Sequence, residues 1–126
     1  MTGNKIFEIA LDILNLRTSG GILPDNCADL KARAVNIINI CLAECACLNG
    51  LICNTDGEII SITSLEQTVE FSPLLLNAVI PFGVASYLCT DEDPALANSL
   101  WEKYRYAYRS AQRNSRGRIH SITEVH

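Results

Sequence analysis

Two proline-bearing helix starts constrain the second half of this 126-residue chain more than any other feature. Pro73 follows Ser72, and Pro94 follows Asp93. Serine and aspartate are preferred N-caps, and proline suits the first helical position because its missing amide hydrogen would have no partner there. The polar turn before the second start is so short that it predicts an antiparallel helix pair. We therefore expect a helix from each start, the last one ending near Arg113.

A third proline, Pro81, divides the first of these two helices. Inside a helix, proline removes a backbone hydrogen bond and clashes with the preceding turn, at a cost of about 3 kcal/mol. The sequence thus predicts a turn over 73–77 and a separate helix that begins near Val79 or Pro81. Gly83 and Ala85 follow, and both are small enough to let another helix approach closely.

The first half of the chain predicts two more helices. The first, from about Gly3 to Leu16, is apolar around much of its circumference, which predicts burial on more than one side. Thr18–Gly21 is expected to end it. The second and longest helix is expected from Pro24 or Asp25 to Asn49, because an apolar stripe repeats there with the helical period and Gly50 suits a left-handed stop.

Two segments lack a helical pattern. Residues 51–71 contain β-branched side chains after a turn at 54–57, and they predict either a short β-hairpin or a loop excursion. This excursion is either a contact arm between subunits or a surface loop. Beyond Asn114 the helical pattern is lost, and Arg118–His126 alternates as a strand would, without a partner strand nearby. That tail is either disordered or adds a strand to another molecule.

Taken together, these patterns predict a mainly α fold. We expect a four-helix body with a small β-hairpin or loop excursion between helices 2 and 3 and an extended C-terminal tail. The length suits one domain. The predicted division is a helical domain over 1–113 and an extended tail over 114–126.

The net charge of −4 is unevenly distributed along the chain. Residues 1–100 carry four basic and twelve acidic side chains, whereas residues 101–126 carry six basic and two acidic ones. Such a split creates a field that can orient the molecule against a partner, another copy or a polyanion. No unbroken apolar run is long enough for a membrane span, and the first residues lack the pattern of a signal peptide. We therefore expect no membrane contact.

Side chains for catalysis or metal binding are sparse. Both histidines, His120 and His126, lie in the predicted tail, so we expect no catalytic Ser-His-Asp or Cys-His arrangement on the helical body. The acidic triplet at 91–93 suits the N-terminus of a helix and is interpreted as capping. We expect no enzyme activity, no cofactor and no metal. Six cysteines without a CxxC pair are expected to act as small buried apolar side chains, namely Cys27, Cys41, Cys45, Cys47, Cys53 and Cys89.

One set of residues in the second half is recognisable as a group. Its members are Ile80, Pro81, Phe82, Gly83, Ala85, Leu88, Asp91, Glu92, Asp93, Ala97 and Tyr104. With this set the chain resembles the head–tail connector proteins of long-tailed bacteriophages, also called adaptor or head-completion proteins. The resemblance covers residues 5–113 as a plan of short helix, long helix, variable middle, proline-bearing helix and aromatic-rich helix. The cysteine-rich second helix departs from this plan.

The resemblance implies a structural role in the virion. The chain would form a homo-oligomeric ring of about twelve copies below the portal protein, after assembly in the host cytoplasm. The ring would join the head to a tail-side stopper or neck protein, and double-stranded DNA would pass through it without sequence specificity. Subunit contacts or the channel wall would involve Lys103, Arg105, Arg109 and Arg113. The tail would reach the portal through Arg116, Arg118, Ile119, Ile122 and Val125.

A second interpretation stays open at this point. A small cytosolic helical domain that binds a protein or DNA as a regulator would have the same composition. It leaves the charge split and the strand-like tail unexplained, and the acidic body opposes binding to free DNA. A small-molecule enzyme, the third interpretation, lacks any recognisable site.

Overall fold

The chain folds into five helices in the computed structural model, which describes residues 1–15 and 28–124, with side chains over 1–15 and 29–115. No strand occurs in these residues, so the predicted mainly α fold is confirmed. The helices are α1 (Gly3–Ile13), α2 (Ala28–Cys53), α3 (Pro73–Ala78), α4 (Ile80–Cys89) and α5 (Pro94–Glu124).

The short helix α4 lies at the centre of the body. It contacts α1, α2, α3 and α5, and nearly all of its residues are buried. Such a helix has no polar face to offer to water, so it is stable only when other helices surround it. The core therefore lies around α4, and every other described helix covers one of its sides.

The helix starts that the prolines predict are confirmed. Residues 73–78 form α3, Val79 leaves the helical conformation at φ −121°, and α4 begins at Ile80 with Pro81 in its first turn. Proline loses no hydrogen bond there. Asp93 caps α5, because its Oδ1 accepts a hydrogen bond of 3.1 Å from the Leu96 amide.

Ser72 precedes α3 as expected but does not cap it with its side chain. Its backbone N–H instead donates to Asn49 Oδ1 on α2, at 2.7 Å. The start of α3 is thus held by a different helix, which local sequence cannot indicate.

The predicted end of α2 at Asn49 is wrong, because the helix continues through Gly50 to Cys53. A Cβ on Gly50 would lie 2.5 Å from the Cα of Gly57, so the glycine serves a close approach between helix and loop. Asn54 takes the left-handed conformation instead, with φ 57°, which asparagine tolerates better than most residues.

Helix α1 is buried on more than one side, as predicted. Its apolar residues face α4 and α2, while the amides of Gly3 and Asn4 donate to loop carbonyls at Gln67 and Leu65. It ends at Ile13, slightly before the expected Leu16. The expected stop at Thr18–Gly21 and the expected start of the second helix at Pro24 or Asp25 lie outside the described residues.

Residues 54–72 form a loop fastened to the body, without a β-hairpin. Asn39 on α2 holds Ile62 by two hydrogen bonds, one to its carbonyl at 2.9 Å and one from its amide at 2.8 Å. Thr2 and Thr68 form an isolated antiparallel bridge. Four loop side chains enter the core: Ile62, Leu65, Val69 and Phe71.

The expected extended tail after residue 113 is wrong up to Glu124. Helix α5 crosses position 113 without a break and continues to Glu124. No proline interrupts this stretch, and the Ser115 hydroxyl donates to the Ala111 carbonyl within the helix at 2.9 Å. A pattern of alternating side chains has no effect where no neighbouring strand exists, and the helix satisfies its own backbone. The functional division at 113/114 stays a prediction.

By length and composition, one described helix segment, Asp29–Cys53, is long and apolar enough to cross a membrane, and 44% of its apolar window is buried inside the protein. A core helix of a globular protein has the same properties. One face of α2 fills the core with Ala34, Ile38, Cys41, Leu42 and Cys45.

Candidate subunit-contact surface

Helix α5 separates an apolar face from a cationic one. Ala97, Leu100, Tyr104 and Ala111 are buried against the body. Residues four apart lie on the same side of a helix, so the spacing of the arginines aligns them along the opposite, solvent-facing side. The exposed cations are Lys103, Arg105, Arg109 and Arg113.

These cations have no carboxylate partner among the described residues, where the one ion pair is Lys5–Glu8 at 4.0 Å. Three of them, Lys103, Arg105 and Arg109, line a surface depression of about 750 Å³. Tyr106 lines the same depression and is 69% exposed. The depression also includes Glu102, so its charge is predominantly but not purely positive.

An aromatic cluster joins α5 to α2 and α4 next to this surface. The Trp101 ring lies 5.7 Å from Tyr87 and 5.4 Å from Tyr104, measured between ring centroids. Glu44 on α2 accepts hydrogen bonds from both tyrosine hydroxyls, at 2.8 Å from Tyr87 and 3.1 Å from Tyr104. Because the Tyr104 proton points to Glu44, the Cys45 thiol, 3.4 Å away, is the donor to the Tyr104 oxygen. These bonds fix how α5 packs on α2.

The buried thiols next to this cluster are chemically quiet. Burial raises the pKa of Cys45 to about 11 and raises the pKa of Cys41 well above its ordinary value. Burial also raises the pKa of Tyr104 and of Tyr87. Since the thiolate is the nucleophile and the metal ligand, thiols held neutral are poor at either role.

The prediction that all cysteines are buried is wrong in part. Cys41, Cys45 and Cys89 are buried, whereas Cys47 and Cys53 are exposed. Cys47 is exposed because it lies on the side of α2 that faces away from the core. Cys27 lies outside the described residues. Within the described part of the chain, no group of three His, Cys, Asp or Glu side chains is arranged to hold a metal ion.

The expected portal-binding residues lie at or beyond the end of the described side chains. Arg116, Arg118, Ile119 and Ile122 occupy helical backbone positions in α5, and their side chains lie outside the description. Val125 lies outside the described residues altogether. Their role therefore stays a prediction.

An acidic surface lies at the C-terminal end of α2. Asp56, Glu58 and Glu70 line a depression of about 440 Å³, together with Asn49 and Cys53. All three carboxylates are on exposed residues, and none forms an ion pair within the described residues. Ile59, next to Glu58, is 67% exposed.

Sequence reasoning did not single out Glu44, Tyr87, or the exposed Ile59. Tyr87 and Tyr104 are far from Glu44 in sequence, so no local spacing joins them. One signal was available, since Glu44 is the one charged residue between Arg33 and Asp56 and lies on an otherwise uncharged helix.

No family model, curated protein or solved structure matches the chain.

Proposed function

We propose that this protein is a structural component of a bacteriophage virion, a head–tail connector that forms a ring below the portal. The observation that carries the proposal is α5. It is 31 residues long, roughly 46 Å at the helical rise, which exceeds the diameter of a small domain. It carries exposed cations without ion-pair partners, while the body on which it packs is acidic.

This combination suits a subunit that is completed by its neighbours. A helix of this length offers a segment for a second protein to cover. Cations that lack partners in their own chain are available for acidic surfaces of an adjacent subunit or for the phosphates of passing DNA. The revised tail structure changes one detail: the segment with Arg116 and Arg118 would dock on the portal as a helix instead of adding a strand.

Deletion of the gene in the phage that encodes this chain tests the proposal. We expect DNA-filled heads without tails in electron micrographs, because the connector is needed only after packaging. A plasmid copy of the full chain should restore plaques, and a copy that lacks residues 116–126 should not. Tailed, infectious particles from the deletion phage would contradict the proposal, as would a source genome without a portal gene.

The exposed row of Arg105, Arg109 and Arg113 also favours a second candidate, a small helical protein that binds DNA as a regulator. Phosphate contacts would make such binding steeply dependent on salt. Fluorescence anisotropy with a short duplex separates the candidates: tight, sequence-selective binding by the isolated protein at physiological salt would favour the regulator over the connector.

A further inference from the structure

Charge of one sign is confined to each of two long parts of the chain. Residues 34–102 contain nine acidic side chains and no lysine or arginine, and only the last of these acids, Glu102, adjoins a cation in sequence. Residues 103–118 contain six cations and no acid, so this part of α5 carries only positive charge. Folding forms no ion pair between the two groups within the described residues, although Glu44 lines a small depression together with Arg105 and Arg109.

The separation of charge along the chain produces two surface patches of opposite charge. We define the basic patch as Lys103, Arg105, Tyr106 and Arg109, which share one depression on α5. We define the acidic patch as Asp56, Glu58 and Glu70, which share one depression at the C-terminal end of α2, together with the exposed Ile59 that follows Glu58 in the chain. No residue lines both depressions, so the patches are separate surfaces of one molecule.

Each patch has a strongly exposed apolar side chain: Tyr106 lines the basic depression, and Ile59 adjoins Glu58 in the chain. Among the residues with described side chains, Tyr106 and Ile59 are the two most exposed large hydrophobic ones, at 69% and 67%. Interfaces commonly combine a few apolar anchors, which carry much of the binding energy, with surrounding charges that select the partner. The two patches therefore resemble each other in having one exposed apolar side chain near several charges, and they differ in the sign of those charges.

We propose that the basic patch of one copy binds the acidic patch of the next copy. This inference rests on the proposed function, since it specifies which surfaces join the subunits of the ring. Because the patches differ, the contact is heterologous, and it repeats head to tail until the ring closes or a filament grows. Nucleic acid would satisfy the basic patch alone and would leave the acidic patch without a partner.

Sedimentation velocity of the full chain at about 0.05 M and at about 1 M salt tests the contact. At about 1 M the Debye length is roughly 3 Å, so the attraction between the patches is screened. The basic-patch variant is Arg105→Gln with Arg109→Gln, and the acidic-patch variant is Glu58→Gln with Glu70→Gln. We expect the wild type to self-associate at low salt and each variant to associate at least about tenfold more weakly. High salt should have the same effect on the wild type.

Matched controls remove charges of the same kind from elsewhere on the exposed surface. Lys31→Gln with Arg33→Gln is the cationic control on α2, and Asp91→Asn with Glu92→Gln is the anionic control in the turn before α5. Both should associate within about twofold of the wild type, because these groups lie outside the patches.

Mixing the two patch variants gives the sharpest result. The intact acidic patch of one variant can bind the intact basic patch of the other, while each altered patch keeps only one of its three charges. We therefore expect a one-to-one dimer and no larger species. A wild type that stays monomeric at low salt, patch variants that assemble like the wild type, or a mixture without heterodimers would each overturn the inference. If the basic-patch variant loses binding to duplex DNA but self-associates like the wild type, the inference is also overturned, and the basic patch is a surface for nucleic acid.

The outcomes for this inference and for the connector function are separate. If the patch variants fail to associate but deletion of the gene leaves phage infectious, the contact stands and the connector proposal fails. If the deletion yields tailless heads and both patch variants restore plaques, the connector proposal stands and this contact is wrong.

Discussion

At the scale of single residues, Gly83 decides how closely α4 and α5 approach. A Cβ at this position would lie 2.8 Å from the Tyr104 ring, so the ring lies directly over the glycine backbone. Tyr104 can then reach both Glu44 and Cys45 with its hydroxyl. The missing side chain of one residue thus allows the hydrogen bonds of another.

Gly83→Ala should destabilise the protein, although the same change usually stabilises a helix by about 0.5–1 kcal/mol. We expect a loss of about 1–3 kcal/mol from the free energy of unfolding, because the added methyl group overpacks the contact with Tyr104. Urea unfolding measures the sign. Ser99→Ala, an exposed control on α5, should change the free energy by less than about 0.5 kcal/mol. A stabilised Gly83→Ala variant would show that the ring does not pack on this glycine.

The buried thiols give stability a dependence on alkaline pH. Because its pKa is raised, the Cys45 thiol keeps its proton in the folded state at a pH where the unfolded state has lost it. Its contribution to the free energy of unfolding is therefore complete below about pH 9 and is lost as the pH rises to the folded pKa of about 11. The free energy of unfolding should therefore fall as the pH rises through this interval. One group contributes up to about 1.4 kcal/mol per pH unit.

Cys45→Ala should make this dependence shallower, while Cys47→Ala, an exposed control on the same helix, should leave its slope unchanged. Urea unfolding in a reducing buffer between about pH 8 and about pH 10.5 measures both slopes. Equal slopes for Cys45→Ala and the wild type would mean that the thiol ionises as freely in the folded state as in the unfolded one.

At the scale of elements, α2 organises the loop over 54–72 as well as the core. Asn39 binds the amide and carbonyl of Ile62, and Asn49 binds the amide of Ser72. A buried or half-buried backbone group without a hydrogen bond is costly, so these amide side chains take the place of a neighbouring strand. The side chains of a helix therefore hold the two ends of the segment from Ile62 to Ser72, and hydrogen bonds of Gln67 with Thr63 and Ser64 order its middle.

Asn39→Ala should lower the free energy of unfolding by about 1–3 kcal/mol, because two backbone groups of Ile62 lose their partners. Hydrogen exchange at Ile62 and nearby loop amides should accelerate more than exchange within α4. Asn36→Ala, on the exposed side of the same helix, is the matched control and should affect neither measurement. Unchanged exchange at Ile62 in Asn39→Ala would rule out the two hydrogen bonds.

Much of the element order follows from local sequence, and the exceptions have tertiary causes. Pro73, Pro81 and Pro94 mark their helices because proline acts on the backbone of its own turn. The end of α2 was not predictable, since Gly50 stays helical for a contact with Gly57 that the fold brings about. The extent of α5 was missed because alternation after Asn114 is equally compatible with a helix when no strand is available for pairing.

The candidate surface was predictable only in part. The spacing of Arg105, Arg109 and Arg113 places them on one side of a helix, and they are exposed as that spacing suggests. The acidic patch was not predictable, because Glu70 joins Asp56 and Glu58 through the path of the loop. The period of apolar residues predicts one helix or strand at a time. This patch instead depends on how the loop brings Glu70 back to Asp56 and Glu58.

At the scale of the whole molecule, charge separation opposes the stability of the monomer. Nine acids over residues 34–102 repel one another without an intervening cation. Self-repulsion of this kind destabilises a compact state and is reduced by screening. The same charges that favour association with a partner therefore work against the isolated fold.

Moderate salt should stabilise the isolated protein. Between about 0.05 M and about 0.3 M sodium chloride, we expect the free energy of unfolding to rise by a few tenths to about 1 kcal/mol. The increase should be smaller in the variant Glu58→Gln with Glu70→Gln than in the wild type. Urea unfolding at low protein concentration avoids a contribution from self-association. A free energy that falls with salt would indicate that attraction between charges dominates.

The two asparagines of α2 also limit how this gene can change in length. Asn39 and Asn49 are ten helical residues apart, roughly 15 Å, whereas the chain from Ile62 to Ser72 could extend to about twice that distance. The loop is also held at Leu65, Gln67 and Val69, so an extra residue there would shift these contacts out of register. An extra residue in the helix between the asparagines would turn Asn49 by about 100° away from Ser72. Insertions and deletions among descendants of this gene should therefore be absent between codons 40 and 48 and also between codons 65 and 69.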